Sequence, residues 1–304
     1  VTIDLYNKNT SDLLYYAPLP NISGYTGQYK NVGAINNKGL EISLNADVIR
    51  TSKFQWTSDF NIGFNRNRVT ELYGGKPELK GLKRLEEGRD MDEWYLREWA
   101  GVDPANGSPL WYTTDGNGKR TTTDSYNKAD RVYCGSAAPK FTGGWMNSFS
   151  YKGFTLTANF DFVYGNLLYN QSRELLDSDG AYADYNSMKL KSGWKRWEKE
   201  GDIATHPKAI NGGNKNSNKS SSRYLEKGNY FSLRNLSLGY SIPEKLCGKL
   251  GLQRVNVSCS ADNLFTLTPF SGVSPQLSDS STDGYAGTIY PLSRRIVLGL
   301  NVSF

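Results

Sequence analysis

Residues 294–304 read RRIVLGLNVSF, and the chain ends there on an aromatic. Ile296, Leu298, Leu300, Val302 and Phe304 are apolar, while Arg295, Val297, Gly299, Asn301 and Ser303 between them are mostly small or polar. A period of two places the first set on one face of a strand and the second on the other. The apolar face needs an apolar neighbour, yet the mean hydropathy of −0.58 argues against a thick conventional core. The rest of the sequence has to say whether that neighbour is a second sheet or a bilayer.

The alternation recurs along the chain. Leu40, Ile42, Leu44, Ala46 and Val48 interleave with Glu41, Ser43, Asn45 and Asp47. Phe54, Trp56, Phe60, Ile62 and Phe64 interleave with Gln55, Thr57, Asp59, Asn61, Gly63 and Asn65. Phe154, Leu156, Ala158, Phe160, Phe162 and Tyr164 face away from Thr155, Thr157, Asn159 and Asp161. Val255, Val257, Cys259 and Ala261 oppose Asn256, Ser258, Ser260 and Asp262. In FSLRNLSLGY the phase breaks between Leu233 and Leu236, which predicts a bulge before Leu236.

Ten strands are expected, at about 1–6, 36–49, 54–67, 92–101, 109–114, 141–151, 154–167, 228–241, 253–266 and 289–304. Several exceed the roughly five or six residues usual in globular sheets. Tight connections at 50–53, 152–153 and 242–251 contrast with long polar ones at 7–34, 168–227 and 267–288. Long one-sided strands joined alternately by short turns and long loops are the pattern of an outer-membrane β-barrel, all of whose backbone groups pair within a closed wall. Counting strands back from Phe304 puts the tight turns, and DPANGSP at 103–109, on one side, and the long loops on the other, external side. Tyr164, Tyr169, Tyr230 and Tyr240 near strand ends suit interfacial girdles, and Trp111 and Tyr112 suit interfacial anchors. The competing picture is a soluble carbohydrate-binding β-sandwich, which calls for shorter strands and paired apolar inner faces.

Composition removes other classes. The net charge of +6 comes from 36 basic and 30 acidic residues scattered along the chain, with no basic run or recognition helix, so no nucleic-acid partner is expected. Cys134, Cys247 and Cys259 lack CxxC spacing and His206 is the only histidine, too few groups for a zinc site or a nucleophile–histidine pair. Cys259 lies on an apolar strand face as filler. Asp279 and Asp283 lack the ligand spacing of a calcium loop, so neither a metal nor a cofactor is expected, and the chain does not read as an enzyme. No apolar run reaches the roughly 20 residues of a membrane helix.

Several blocks resemble the SusC/RagA-like TonB-dependent transporters of the Bacteroidetes outer membrane. They are NNKGLEISLNADVI, FQWTSDFNIGFNRNRVTEL, AGVDPANGSPLWY, PKFTGGWMNSFSYKGFTLTANFDFVYGNLLYN, WEKEGDIATHP, NYFSLRNLSLGYSIP, VNVSCSADNLFTLTPFSG and YPLSRRIVLGLNVSF. Each is mostly strand pattern with Gly and Asn, but together they run in family order over most of the chain. The resemblance implies an all-β fold, a transmembrane antiparallel barrel of 22 strands filled by an N-terminal plug. No plug or TonB-contacting segment is read in these 304 residues, so the chain, 1–304, is expected to be the C-terminal portion of the barrel, about its last ten strands. The implied function is active uptake of oligosaccharides or oligopeptides, sugars being the commoner cargo. The implied partners are a SusD-like surface lipoprotein cap, TonB through a missing N-terminal part, outer-membrane lipid, and the barrel-assembly machinery. A passive porin-like barrel is the alternative. For the assembly machinery the resemblance makes Leu300, Val302 and Phe304 the sorting signal.

Substrate contacts are expected in the long loops, where rings stack on sugars or pack against peptide side chains. Tyr182, Tyr185, Trp194 and Trp197 are the candidates in 168–227, beside the acidic Asp177, Asp179 and Asp184. In SGWKRWEKEGD the spacing of Trp194 and Trp197 predicts a short helix with both rings on one face. The favoured reading of these two rings is that they pack the loop against the barrel or the lipoprotein cap.

Overall fold

The computed structural model describes every residue except 183, 186, 250, 278–283 and 288, so Asp279 and Asp283 lie outside the described residues. Alternating segments rich in Phe, Val, Ile and Thr form long strands because the two faces of a pleat suit two different surroundings. Eight of them make one antiparallel wall in which chain neighbours are also spatial neighbours: β1 (Thr2–Thr10), β2 (Ala34–Arg50), β3 (Phe54–Glu71), β4 (Phe141–Tyr151), β5 (Phe154–Tyr164), β6 (Tyr230–Ser241), β7 (Arg254–Leu267) and β8 (Arg295–Ser303). Short turns join β2 to β3, β4 to β5 and β6 to β7 at one end; the last of them holds the helix Glu244–Lys249. At the other end the connections are 11–33, 72–140, 165–229 and 268–294.

Register converts the sequence alternation into two continuous surfaces. Leu44, Phe60, Trp145, Phe160, Leu233 and Phe265 stand opposite one another in a single row across six strands. Asn45, Asp59, Met146, Asn159, Asn235, Asp262 and Arg295 form the corresponding row on the reverse face. The apolar face carries ring contacts such as the tilted pair Trp145–Phe160, with centroids 5.7 Å apart, and the stacked pair Phe160–Phe231 at 5.2 Å. Much of it lies bare: Leu5 and Leu298 are each 80% exposed and Leu300 is 70% exposed. A bare apolar surface of this extent marks an interaction with another apolar phase. Both indole N–H groups in the middle of this face are paired within it. Trp56 Nε1 donates to Asn147 Oδ1 at 3.1 Å and Trp145 Nε1 to Ser58 Oγ at 2.9 Å, as an apolar surrounding demands.

The predicted bulge is present. The register of β6 shifts between Leu233 and Asn235 against both neighbours, leaving Arg234 as the extra residue, and Arg234 reaches Asp161 at 3.1 Å. On β7 Asn263 takes the compensating left-handed conformation with φ of 53°, which asparagine tolerates better than most residues. Gly39 on β2 leaves room for Tyr6 of β1, whose ring occupies the place a Cβ would take. Cys259 sits in register between Leu238 and Leu298 on the apolar face.

The wall contains eight of the ten expected strands. Residues 92–101 and 109–114 leave it and pair in two separate small sheets, one joining Trp99–Val102, Pro109–Thr114 and Arg120–Thr123, the other including Glu93–Arg97 and Arg131–Ser136. The whole of 72–140 is one excursion from the long-connection end, so DPANGSP lies there and not on the tight-turn side. Trp111 is correspondingly no surface anchor: it is fully buried between Trp99 and Tyr126, each 5.5 Å away. Of the four expected girdle tyrosines, Tyr164 and Tyr240 end strands on the apolar face, stacked on Phe141 and Phe154. Tyr230 instead donates to Asp161 on the polar face, and Tyr169 is buried among the loops.

Among the described residues the wall does not close on itself: β1 pairs with β2 alone and β8 with β7 alone, so both flanks offer unpaired backbone groups.

Candidate functional site

Three long connections meet in a shared core above the wall. Trp94 and Leu96 from 72–140, Tyr169 and Tyr224 from 165–229, and the part-buried Tyr285 from 268–294 form one cluster with Ala137. Trp94 is fully buried, and its Nε1 donates to the Leu167 carbonyl at 3.0 Å. The strand Leu167–Asn170 pairs with Leu225–Lys227 on one side and with Tyr285–Ala286 on the other. Gly284 makes the junction possible: its φ is +88°, and a Cβ there would sit 2.5 Å from Ala137 Cβ and 2.9 Å from Trp94. Beside it, burial pushes the Cys134 thiol up to about 11, away from the range of a reactive thiolate.

Connection 165–229 is tied by a buried ion network. Arg173 binds Asp177 at 2.8 Å and Glu226 at 3.0 Å. Arg223 binds Asp179 and lies 3.4 Å from Asp177, while Arg196 binds Asp179 at 2.7 Å. His206 stands 3.0 Å from Asp177, and Ser217 donates to Asp179 at 2.7 Å. Both aspartate side chains are fully buried, so each carboxylate depends on these partners in place of water. Burial alone would raise the Asp177 carboxyl, but the His206 hydrogen bond, Arg223 and Arg173 outweigh it and hold it below the usual range. A lowered native value contributes stability above the unfolded value of about 3.9 and loses it as pH falls through the native one. Amide protection in 170–226, taken as exchange relative to the intrinsic rate at each pH, is therefore expected to hold from pH 7 to about pH 4 and to fall below it, a change measurable by mass spectrometry.

The four predicted contact residues divide into two groups. No helix forms over 190–200; Trp194 and Trp197 are held by a two-point bridge between 195–197 and 205–206. Trp197 is buried, lies against Gly107, and donates from Nε1 to the Pro104 carbonyl at 2.9 Å, which fastens DPANGSP to this connection. Trp194 packs against the ion network, 5.0 Å from the His206 ring and 4.5 Å from the Arg173 guanidinium. Asp202 secures the same bridge through Lys195 and the Glu198 and Lys199 N–H groups, which hold its carboxyl down at about 2. Tyr182 and Tyr185 are exposed and paired, with centroids 5.4 Å apart. Leu300, Val302 and Phe304 share the apolar side of β8, Phe304 being 84% exposed at its end.

Sequence reasoning missed a cleft of about 660 Å³ between the helix Ser172–Leu176 and residues 271–273 and 289–291. Asn170, Arg173, Leu176, Met188, Ser271 and Tyr290 line it. Its walls come from two connections more than 80 residues apart in sequence, so no local pattern announces it. The size falls in the roughly 300–1,000 Å³ range of small-molecule pockets, and the lining is mainly apolar with a few polar groups.

A wall of one-sided strands with a bare apolar face and a packed loop platform at one end defines the outer-membrane β-barrel class. The TonB-dependent receptor P39 of Formosa agariphila is 30% identical over an alignment that covers all of this chain and 34% of that receptor. The TonB-dependent receptor SusC of Bacteroides thetaiotaomicron is 24% identical, with 99% of this chain covered and 30% of SusC. A solved structure of the RagAB peptide transporter superposes with a TM-score of 0.85 at 28% identity, over 99% of this chain and 33% of that one. No family model matches the chain. The chain belongs to the SusC/RagA-like TonB-dependent receptors and corresponds to the C-terminal part of their transmembrane barrel. It spans about a third of the length of the curated relatives it matches.

Proposed function

We propose that this chain supplies part of the wall and the substrate-facing platform of an outer-membrane importer that takes up oligosaccharides or oligopeptides. The observation that carries the reading is the combination of a lipid-compatible outer face with a platform locked by buried ion pairs at the long-connection end. In this reading the apolar face meets lipid, the Asn/Asp/Ser/Thr face lines a wet lumen, and the long connections are extracellular. The protein resides in the outer membrane, draws energy through TonB and receives cargo from a SusD-like lipoprotein. The free flanks of β1 and β8 are where further strands complete the barrel. Leu300, Val302 and Phe304 present the face read by the barrel-assembly machinery.

The platform offers two kinds of contact for a flexible oligomer. The Tyr182–Tyr185 pair provides bare rings on which a sugar face or a peptide side chain can rest. The cleft beside Arg173 adds apolar walls with a few hydrogen-bonding groups. Trp194 and Trp197 serve the site by holding the platform. Oligosaccharides are the first reading; oligopeptides are the second, favoured by the likeness to the RagAB peptide transporter.

The test is uptake by cells carrying the full-length receptor, supplied with fluorescent oligosaccharide or oligopeptide mixtures, with and without TonB. Uptake of one class that requires TonB supports the reading; uptake of both classes at equal rates without TonB contradicts it. Replacing Tyr182 and Tyr185 together by alanine is expected to weaken binding of the transported class by about tenfold, roughly the loss of two ring contacts. Equilibrium titration of the purified receptor checks this, and unchanged affinity removes the pair from the site.

A further inference from the structure

The apolar face ends abruptly on β2 and β3. The stretches 40–49 and 54–64 have the roughly 9–11 residues with which a tilted strand crosses a bilayer. Directly beyond them on the same face comes a different chemistry. Lys38 stands in register with Arg66 on one side and Asn7 on the other, one step past the Leu5, Leu40 and Phe64 row. Asn36 then stands in register with Arg68 and Asn9. Lys38, Arg66 and Arg68 are all exposed.

Among the described residues these three cations make no ion pair. Elsewhere on the wall, Arg234 is matched by Asp161 and Arg295 by Asp262. On β1 to β3 no acidic residue shares the face: it holds Ile3, Leu5, Asn7 and Asn9, the even-numbered positions of β2 from 36 to 48, and those of β3 from 54 to 70. The asparagines are engaged with one another, Asn36 Nδ2 donating to Asn7 Oδ1 at 2.6 Å. The result is a cluster of three positive groups, with no acidic residue on its own face of β1 to β3, at the rim of the lipid-compatible belt on the long-connection side; Asp90, which lines the cleft beside Lys38 and Arg66, accepts from Ser136 and the Asp92 N–H instead.

We propose that this rim binds the phosphorylated headgroup of an outer-leaflet glycolipid. The inference rests on the membrane reading above and adds a specific site to it. The acyl chains would lie against Leu5, Leu40 and Phe64, and the phosphate would meet the cations one residue pair higher. Two guanidinium forks beside an ammonium suit a phosphate, which accepts several charge-assisted hydrogen bonds at once. Continuity between apolar belt and cationic rim is what distinguishes a lipid from a soluble anion, which has no use for the belt. An acidic protein surface is the competing occupant.

The test uses the full-length receptor in phosphatidylcholine nanodiscs doped with bacterial glycolipid, either phosphorylated or enzymatically dephosphorylated, and read by native mass spectrometry. The wild type is expected to retain the phosphorylated lipid. The Lys38→Gln/Arg66→Gln/Arg68→Gln variant is expected to retain about tenfold less, since each basic group near a charged surface contributes. Arg66→Gln/Arg68→Gln gives an intermediate loss should the triple variant assemble poorly, and Lys8→Gln, on the opposite face of β1, changes nothing. Millimolar inorganic phosphate leaves the lipid bound. Equal retention by the variants, equal retention of the dephosphorylated lipid, or displacement by inorganic phosphate would overturn the site. A wild-type receptor that fails to enter nanodiscs would overturn the membrane reading and this site with it.

Discussion

Replacing Arg223 with alanine is expected to release the loop platform while the wall stays folded. Arg223 is buried between Asp177 and Asp179 and also donates to the Ser217 carbonyl at 3.0 Å. Its guanidinium lies 5.4 Å from the Tyr224 ring, which belongs to the shared core of the three connections. Removing it leaves two buried carboxylates short of positive partners, a change that costs about 3–5 kcal/mol where a buried pair is broken. The wall does not share the loss, because its strands are paired with one another and not through the network. Hydrogen exchange resolved by peptide should therefore rise across 165–229, with protection in β4 to β7 unchanged. A uniform rise over platform and wall would show that the two are one cooperative unit. Arg223→Lys should recover only part of the loss, because one ammonium cannot reproduce the fork that reaches both aspartates.

The second large effect belongs to the apolar face. Phe160 is at the middle of β5, in ring contact with Trp145 and Phe231, and its neighbour Asn159 points to the other side. In the proposed bilayer setting Phe160→Arg is expected to destabilise the receptor by about 2–4 kcal/mol, the cost of a basic side chain near the bilayer midplane. Asn159→Arg, one residue away but on the polar face, should shift stability by no more than about 0.5 kcal/mol. Urea midpoints of the receptor refolded into vesicles measure both. Equal penalties would mean that the two faces meet the same medium.

The parts of this architecture that were legible in sequence are those governed by a local period. Alternation at 40–48, 54–64, 154–164, 255–261 and 296–304 exposed the wall strands, because each wall residue chooses between only two surroundings. The phase break at Leu233 gave away the bulge for the same reason. The segments 92–101 and 109–114 misled because a short strand in a loop sheet has the same period as a wall strand; only length separates them, and these are short. Trp111 and Tyr169 read in sequence as surface aromatics because burial in a loop core depends on partners far along the chain. Trp94 and Leu167, or Arg173 and Glu226, meet across more than 50 residues, and no local pattern encodes such a meeting. Asp177, Asp179 and His206 were visible as residues, but their joint burial was not. The glycines at 39 and 284 admit a neighbour that only the fold supplies.

In the proposed importer the two faces of the wall see lipid and water respectively. This arrangement is tested most directly by a nitroxide scan along β5 of the full-length receptor reconstituted in vesicles. One label at a time replaces a residue from 154 to 164, and collision with oxygen is compared with collision with a water-soluble nickel chelate. The arrangement predicts a period of two, with oxygen favoured at 154, 156, 158, 160 and 162 and the chelate favoured at 155, 157, 159 and 161. Equal access of the chelate to both sets would contradict it and return the chain to the class of soluble sheets.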